Sequence, residues 1–247
     1  MVAEKTHELL ENNKELEQNN LEKDKFFSII AHDLKGPFNG FLGLSQIMAE
    51  DVESLSKHEI KDIAETMRDS ASNLYTLLEN LLLWSRMKNS TITFVPEKSD
   101  LMELVHESMV TLKTAAENKQ IDVVYDITSN IVINTDKNMF MTIMRNLLSN
   151  AIKFTSPGGR VIISCYPDKV GSVVVSVTDN GIGMSQDVID NLFSMNKVSK
   201  RNGTAGEPSS GLGLILCKEF VELHGGKLWA ESGLDKGSAF YFSLPTK

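Results

Sequence analysis

The chain has 247 residues, 41% of them hydrophobic and 23% charged, a formal net charge of −8 and two cysteines. That length suits one large or two medium domains with buried cores, and the acidic balance argues against non-specific nucleic-acid binding, which needs a basic footprint. No apolar run reaches the roughly eighteen residues of a membrane span, the acidic polar start "MVAEKTHELLENNKELEQ" is unlike a secretory signal, and the isolated Cys165 and Cys217 read as small buried residues of a reducing compartment.

Residues 4–34 are helical in composition. Alternating steps of three and four trace Leu9, Asn13, Leu16, Asn20, Lys23, Phe27, Ile30 and Leu34. This is a heptad seam with polar members, which weaken a coiled coil while fixing its register, and it predicts a parallel dimer; a lone polar helix satisfies the same pattern. At its end stands "FFSIIAHDLKGPF", residues 26–38. His32 lies roughly 200° around the helix from Ile30 and so points away from the seam. Pro37 lacks a backbone donor and clashes with the carbonyl one turn back, which predicts a bend just past His32. A second amphipathic helix spans 57–88, with Ile60, Ile63, Met67, Leu74, Leu77, Leu78 and Leu81 on its apolar spacing. Joined by "AEDVESLSK", the two form a helical hairpin whose apolar faces pair best with a second copy, giving a dimeric four-helix bundle.

The pattern changes near Lys88 to Thr93. "ITFV" alternates like a strand, and "DLMELVHESMVTLKTAAENK" reads as one helix started by an aspartate cap. "IDVVYDI" and "IVIN" read as strands, "DKNMFMTIMRNLLSNAIKFT" as a helix, and "RVIISCY" and "VVVSVTD" as two strands parted by a turn at 168–171. A helix "GLGLILCKEFVELHGG" and a closing hairpin of "KLWAES" and "SAFYFSL" complete an α+β sandwich, one mixed sheet with helices on one face. The expected organisation is a coiled-coil helix at 1–24, a hairpin domain at 25–90 and the sandwich at 93–247.

Three clusters break the apolar patterning of the sandwich. In "NLLSNAIKFT", Asn146, Asn150 and Lys153 share a helix face, a lined pocket or equally a solvated surface. In "DNGIGM", Asp179 ends a strand and is followed by Gly181 and Gly183. Asn180-Gly181 alone reads as a common turn pair, but the acid at the strand end and the second glycine are left unexplained by that. In "GLGL", Gly211 and Gly213 precede a helix whose first N–H groups can cradle phosphate. No loop ends in Gly-Lys-Ser/Thr, which excludes a P-loop.

Taken in this order, the three clusters resemble the N, G1 and G2 boxes of the GHKL (Bergerat) ATP-binding fold shared by sensor histidine kinases, DNA gyrase, heat-shock chaperone ATPases and mismatch-repair proteins. "FFSIIAHDLKGPF" in turn resembles the H box of the dimerization and phosphotransfer domain found in the histidine kinases. The resemblance covers about residues 20–245. It implies that His32 is the phosphoacceptor and that Asp33 accepts its proton or orients its ring. It implies ATP and Mg²⁺, with Asn150 holding the metal, Asn146 and Lys153 contacting phosphates, Phe154 beside the nucleotide and Asp179 accepting the adenine amino hydrogen. Gly181, Gly183, Thr204, Gly211, Leu212, Gly213 and Leu214 complete the implied nucleotide site. A lid over 193–210 brings Lys197, Lys200 and Arg201 to neutralise phosphate charge, with at least one of the three expected to be merely solvated.

The implied partners are a second copy of the chain and the receiver domain of a response regulator, with no nucleic acid; the implied place is the cytoplasm, as a free protein or as the cytoplasmic portion of a membrane-bound sensor, and no membrane segment lies within these residues. A conformational ATPase would need a glutamate to activate water where Asn146 stands, and a non-catalytic scaffold would be expected to have lost His32, Asn150 or Asp179. In the resembled family the position of Gly36 usually holds threonine or asparagine and is tied to phosphatase activity, so a weak phosphatase is expected.

Overall fold

A computed structural model describes residues 2–88, 92–127, 131–168, 171–194, 201–207 and 211–246. Two compact units, Met1–Asn89 and Ser90–Lys247, make up the chain. In the first, helix α1 (Val2–Asp51) and helix α2 (Lys57–Lys88) form a hairpin. Although proline removes a helical hydrogen bond, α1 runs on through Pro37 without a break. A reciprocal cap starts α2: the Ser56 N–H donates to Glu59 Oε2 at 2.8 Å, and the Glu59 N–H to Ser56 Oγ at 3.3 Å. Ile30, Leu77 and Trp84 are buried, whereas Phe27, Phe38, Leu42, Tyr75, Leu78 and Leu82 are exposed on the single chain. The side chain of His32 lies outside what the structure describes. Among the described residues no helix is long and apolar enough to cross a membrane.

The second unit contains β1 (Glu97–Asp100), α3 (Leu101–Val110), α4 (Lys113–Asn118), β2 (Asp122–Ile127), β3 (Val132–Thr135), α5 (Lys137–Phe154), β4 (Arg160–Pro167), β5 (Ser172–Asp179), α6 (Gln186–Asn191), α7 (Leu212–Leu223), β6 (Leu228–Ser232) and β7 (Ser238–Pro245). Five strands form a mixed sheet in the order β2-β4-β5-β7-β6, with β2 parallel to β4 and the other pairs antiparallel. One face is built from Val161, Ile163, Val173, Val175, Val177, Phe240, Phe242 and Leu244, all buried. They alternate along β4 and β7 as a half-covered sheet requires, while in the central β5 the intervening Val174 and Ser176 are buried as well. The covering layer is α3, α5 and α7, which contribute Leu104, Phe140, Ile143, Leu147, Leu148, Leu216 and Phe220 to the core.

Three expectations are corrected. The single mixed sheet is joined by a second one, the two-stranded antiparallel β1-β3 ribbon. Residues 92–96 are not a strand, because their polar groups are claimed elsewhere: the Val95 N–H donates to Asp136 Oδ2 at 3.1 Å, and Phe94 packs edge-on to His224 at 4.8 Å. The helix expected from Asp100 onward divides in two, since the Leu112 N–H bonds to Met109 O in a tighter i→i−3 turn. Its aspartate cap holds, Asp100 Oδ1 accepting from the Glu103 N–H at 3.0 Å.

His224 ties these pieces together. Its Nε2 accepts from the Asp136 N–H at 3.1 Å and meets Thr135 Oγ1 at 2.9 Å, and its Nδ1 is 2.7 Å from Phe220 O. A ring nitrogen that accepts a backbone N–H leaves the other as the donor, so the neutral Nδ1–H tautomer joins the end of α7 to the start of α5. Asp136 caps α5, accepting from the Met139 N–H at 3.1 Å.

Candidate functional site

The C-terminal half of α5 presents the polar face. Leu147, Leu148, Ala151 and Ile152 are buried, and Asn146, Asn150 and Lys153 on the intervening positions are half-buried. Asn146 Nδ2 donates to Thr142 O at 2.9 Å, which leaves its oxygen directed at the opening turn of α7. Gly213 makes that approach feasible: a Cβ there would collide with Asn146 Oδ1. Two of the expected clusters thus meet across a helix–helix contact. Gly211 is the left-handed N-cap of α7, and Leu214 is half-exposed. The Leu212 side chain is buried in the core, so any contact it makes with a ligand is through the main chain.

Asp179 is the last residue of β5 and is buried. Its Oδ1 accepts from the Gly181 N–H at 2.9 Å and the Ser238 N–H at 3.2 Å. Burial pushes its carboxyl above the usual aspartate range, and the two backbone donors partly offset this. The loop after it is held on both sides, by Ile182 N–H to Phe154 O at 3.2 Å and by Met184 N–H to Ser232 Oγ at 2.8 Å. Gly183 has a φ of +62°, and a Cβ on it would strike the Gly233 carbonyl, so this position requires glycine. Sequence reasoning did not name Ser238 or Ser232; only the register, which sets Asp179 opposite Ser238, reveals them.

Lys153 and Phe154 end α5. The ammonium stands 5.2 Å from the Phe154 ring centre, within cation–π range. Burial lowers the Lys153 pKa to about 8, with the Glu207 carboxylate raising it and the Lys119 ammonium lowering it further. Thr204 is occupied with α5: its N–H donates to Lys153 O at 3.0 Å, and its hydroxyl to Thr155 O at 2.7 Å. Arg201 Nη1 donates to Gly183 O at 3.2 Å. Lys197 and Lys200, with the 195–200 and 208–210 parts of the expected lid, lie outside the described residues. His32 and the half-buried Asp33 belong to α1, in the first unit.

Two further groups had no motif to announce them. Lys119 is buried and its ammonium reaches Ile152 O at 2.9 Å, Lys153 O at 2.8 Å and Glu207 Oε1 at 2.8 Å. Their signal is purely spatial, since Lys119 and Glu207 stand 88 positions apart.

With this geometry established, comparison with known proteins gives a consistent result. Residues 22–90 match the family model "His Kinase A (phospho-acceptor) domain", and residues 135–247 match "Histidine kinase-, DNA gyrase B-, and HSP90-like ATPase". The chain is 30% identical over 246 residues to cyanobacterial phytochrome B of Nostoc, covering 99% of this chain and 32% of that protein, so it spans about a third of the relative's length. Among solved structures, the catalytic domain of histidine kinase ThkA matches with a TM-score of 0.54 and 28% identity, covering 63% of this chain and 97% of that one. The histidine kinase AdeS of Acinetobacter baumannii matches with a TM-score of 0.69, covering 87% of this chain and 98% of that one; at 19% identity this likeness concerns the fold alone.

Proposed function

We propose, for a chain homologous through both matched domains to the catalytic cores of sensor histidine kinases, that it is an ATP-dependent kinase phosphorylating its own His32. From there it passes the phosphoryl group to an aspartate of a response-regulator receiver domain. One observation carries this reading: a phospho-acceptor domain enclosing His32 and an ATPase domain enclosing Asn146, Asn150, Lys153 and Asp179 occur in one chain.

The residues fit Mg·ATP. A buried carboxylate at the end of β5 offers an acceptor to a base amino group, and two amides and an ammonium on one face of α5 suit phosphates and their metal. Asn150 would hold Mg²⁺, which when bound neutralises charge on the phosphate oxygens. Asp179 orients the adenine, Lys153 draws the phosphates to the end of α5, and Phe154 flanks the nucleotide. A neutral ring nitrogen of His32 supplies the electron pair for the new N–P bond as the bond from the γ-phosphorus to the ADP oxygen breaks; Asp33 holds the proton on the other nitrogen. Asn146 cannot act as a general base, which favours transfer to histidine over transfer to water.

The exposed apolar residues of the hairpin, among them Phe38, Leu42, Leu78 and Leu82, support a homodimer that covers them in a four-helix bundle. ATP and a receiver partner together make the cytoplasm the place of action. Incubation with γ-labelled ATP and Mg²⁺ tests the reading. Label should appear on the wild type, be lost on acid treatment, and be absent from His32→Ala, whose nucleotide affinity stays unchanged. A label that survives acid or this substitution sinks the assignment.

A further inference from the structure

Lys119 is charged, nearly inaccessible and outside every motif. Its side chain is 8% exposed, and its three N–H donors end on three acceptors: Ile152 O, Lys153 O and Glu207 Oε1. Two of these are carbonyls that the end of a helix leaves without intrahelical partners, where the helix dipole also favours a cation. The third is the anchor of a small loop. Glu207 Oε2 accepts from the Ala205 N–H at 2.9 Å, and the Gly203 N–H returns to Glu207 O at 2.8 Å, so residues 203–207 fold around one carboxylate. Thr204 then fastens the loop to the same end of α5.

The half-buried Lys153 is flanked by this loop. A Cβ on Gly203 would collide with the Lys153 stem and with Glu207, so the loop backbone lies directly against the lysine. The Phe154 ring lies near the ammonium. A lysine has four rotatable side-chain bonds and costs up to ~2 kcal/mol of rotamer entropy to order. Packing of its stem against the Gly203 backbone restricts that freedom.

We propose that Lys119 and Glu207 form a buried latch that fixes Lys153 for contact with the nucleotide phosphates. Lys119 is thus a positioning residue acting through the 203–207 loop and the end of α5. This rests on the reading of the second unit as an ATP-binding domain.

The test measures binding of a non-hydrolysable ATP analogue with Mg²⁺, and separately of adenosine, to the full chain. Lys119→Met and Glu207→Gln should each weaken the triphosphate on the order of tenfold, the size of one lost charge-assisted hydrogen bond. Adenosine affinity should not change, because the latch acts on the phosphate end only. In a Lys153→Met background neither substitution should cost anything more, whereas Lys119→Arg, which keeps the charge, should recover part of the loss. Equal losses for adenosine and triphosphate would assign Lys119 a merely structural role and overturn the proposal. So would losses that add to that of Lys153→Met, or no loss at all. Should Lys119→Met fail to fold, Glu207→Gln decides by itself, since its side chain is 36% exposed and tolerates the change. A wild type that binds neither ligand would instead overturn the ATP-binding reading.

Discussion

At the scale of single residues, three positions make separate demands on stability and function. Asp179 has its carboxyl pushed up by burial, so the ionised form is a cost to the fold. The sign follows: stability associated with this group is fullest below the ordinary aspartate pKa and declines as pH rises through the raised one. Asp179→Asn keeps an oxygen for the Gly181 and Ser238 N–H groups and removes that cost. It should therefore raise the melting temperature while weakening ATP binding by about 1.5–3 kcal/mol, the value of a charge-assisted hydrogen bond. GTP binding should change little, as guanine carries a carbonyl where adenine has its amino group. Lys153 works the other way, with a pKa near 8 that burial has lowered. Phosphates bind the cationic form, so ATP affinity should be full below that pKa and fall as pH rises through it; Lys153→Arg should flatten the profile. A wild-type titration with no slope there would remove Lys153 from the phosphate site. Gly36 lies exposed in α1 with nothing within 4 Å of an added Cβ. Gly36→Ala should accordingly stabilise the helix by about 1 kcal/mol. Gly36→Thr should fold, retain autophosphorylation and accelerate loss of label from a phosphorylated regulator, a rate the wild type should barely raise.

At the scale of elements, α5 carries most of the site, and its start is secured by Asp136. That one carboxylate caps the helix through the Met139 N–H and holds residue 95 through Val95 N–H. Asp136→Ala should cost about 1–2 kcal/mol, read as a lower denaturation midpoint, with Asp136→Asn losing less because an acceptor oxygen remains. Much at this scale was legible. The β-branched runs of β4 and β5, the aromatic alternation of β7 and the apolar stripe of α5 arise from local pattern, and the Asp100 cap from a local signal. The segment at 92–96 was not legible, because the acceptor that draws it off a sheet is 41 positions away. The break between α3 and α4 has no glycine or proline to mark it, and the short α6 is too brief to show a period. The cap of α2 at Ser56 and Glu59 was a readable local signal that passed unused. Within the site, Asn146 and Gly213 were each visible as motif members, while their mutual contact was not. No motif marks Lys119, and only three-dimensional packing makes it a buried cation.

At the scale of the whole molecule, the proposed kinase needs an acceptor histidine from the first unit, a nucleotide site from the second and a second copy of the chain. The dimer should form through the hairpin. Truncating residues 1–25 should weaken it without abolishing it, because the exposed apolar positions of 38–82 remain. Light scattering at micromolar concentration reads this, and a strictly monomeric full chain would remove the four-helix bundle. The most direct test of the central claim is to locate the transferred phosphoryl group by mass spectrometry, after incubation with Mg·ATP and digestion at alkaline pH. The account predicts a single phosphoryl group on His32, absent when Asn150 or Asp179 is replaced. Phosphate found on serine, threonine or another histidine, or released only as free phosphate, would contradict it.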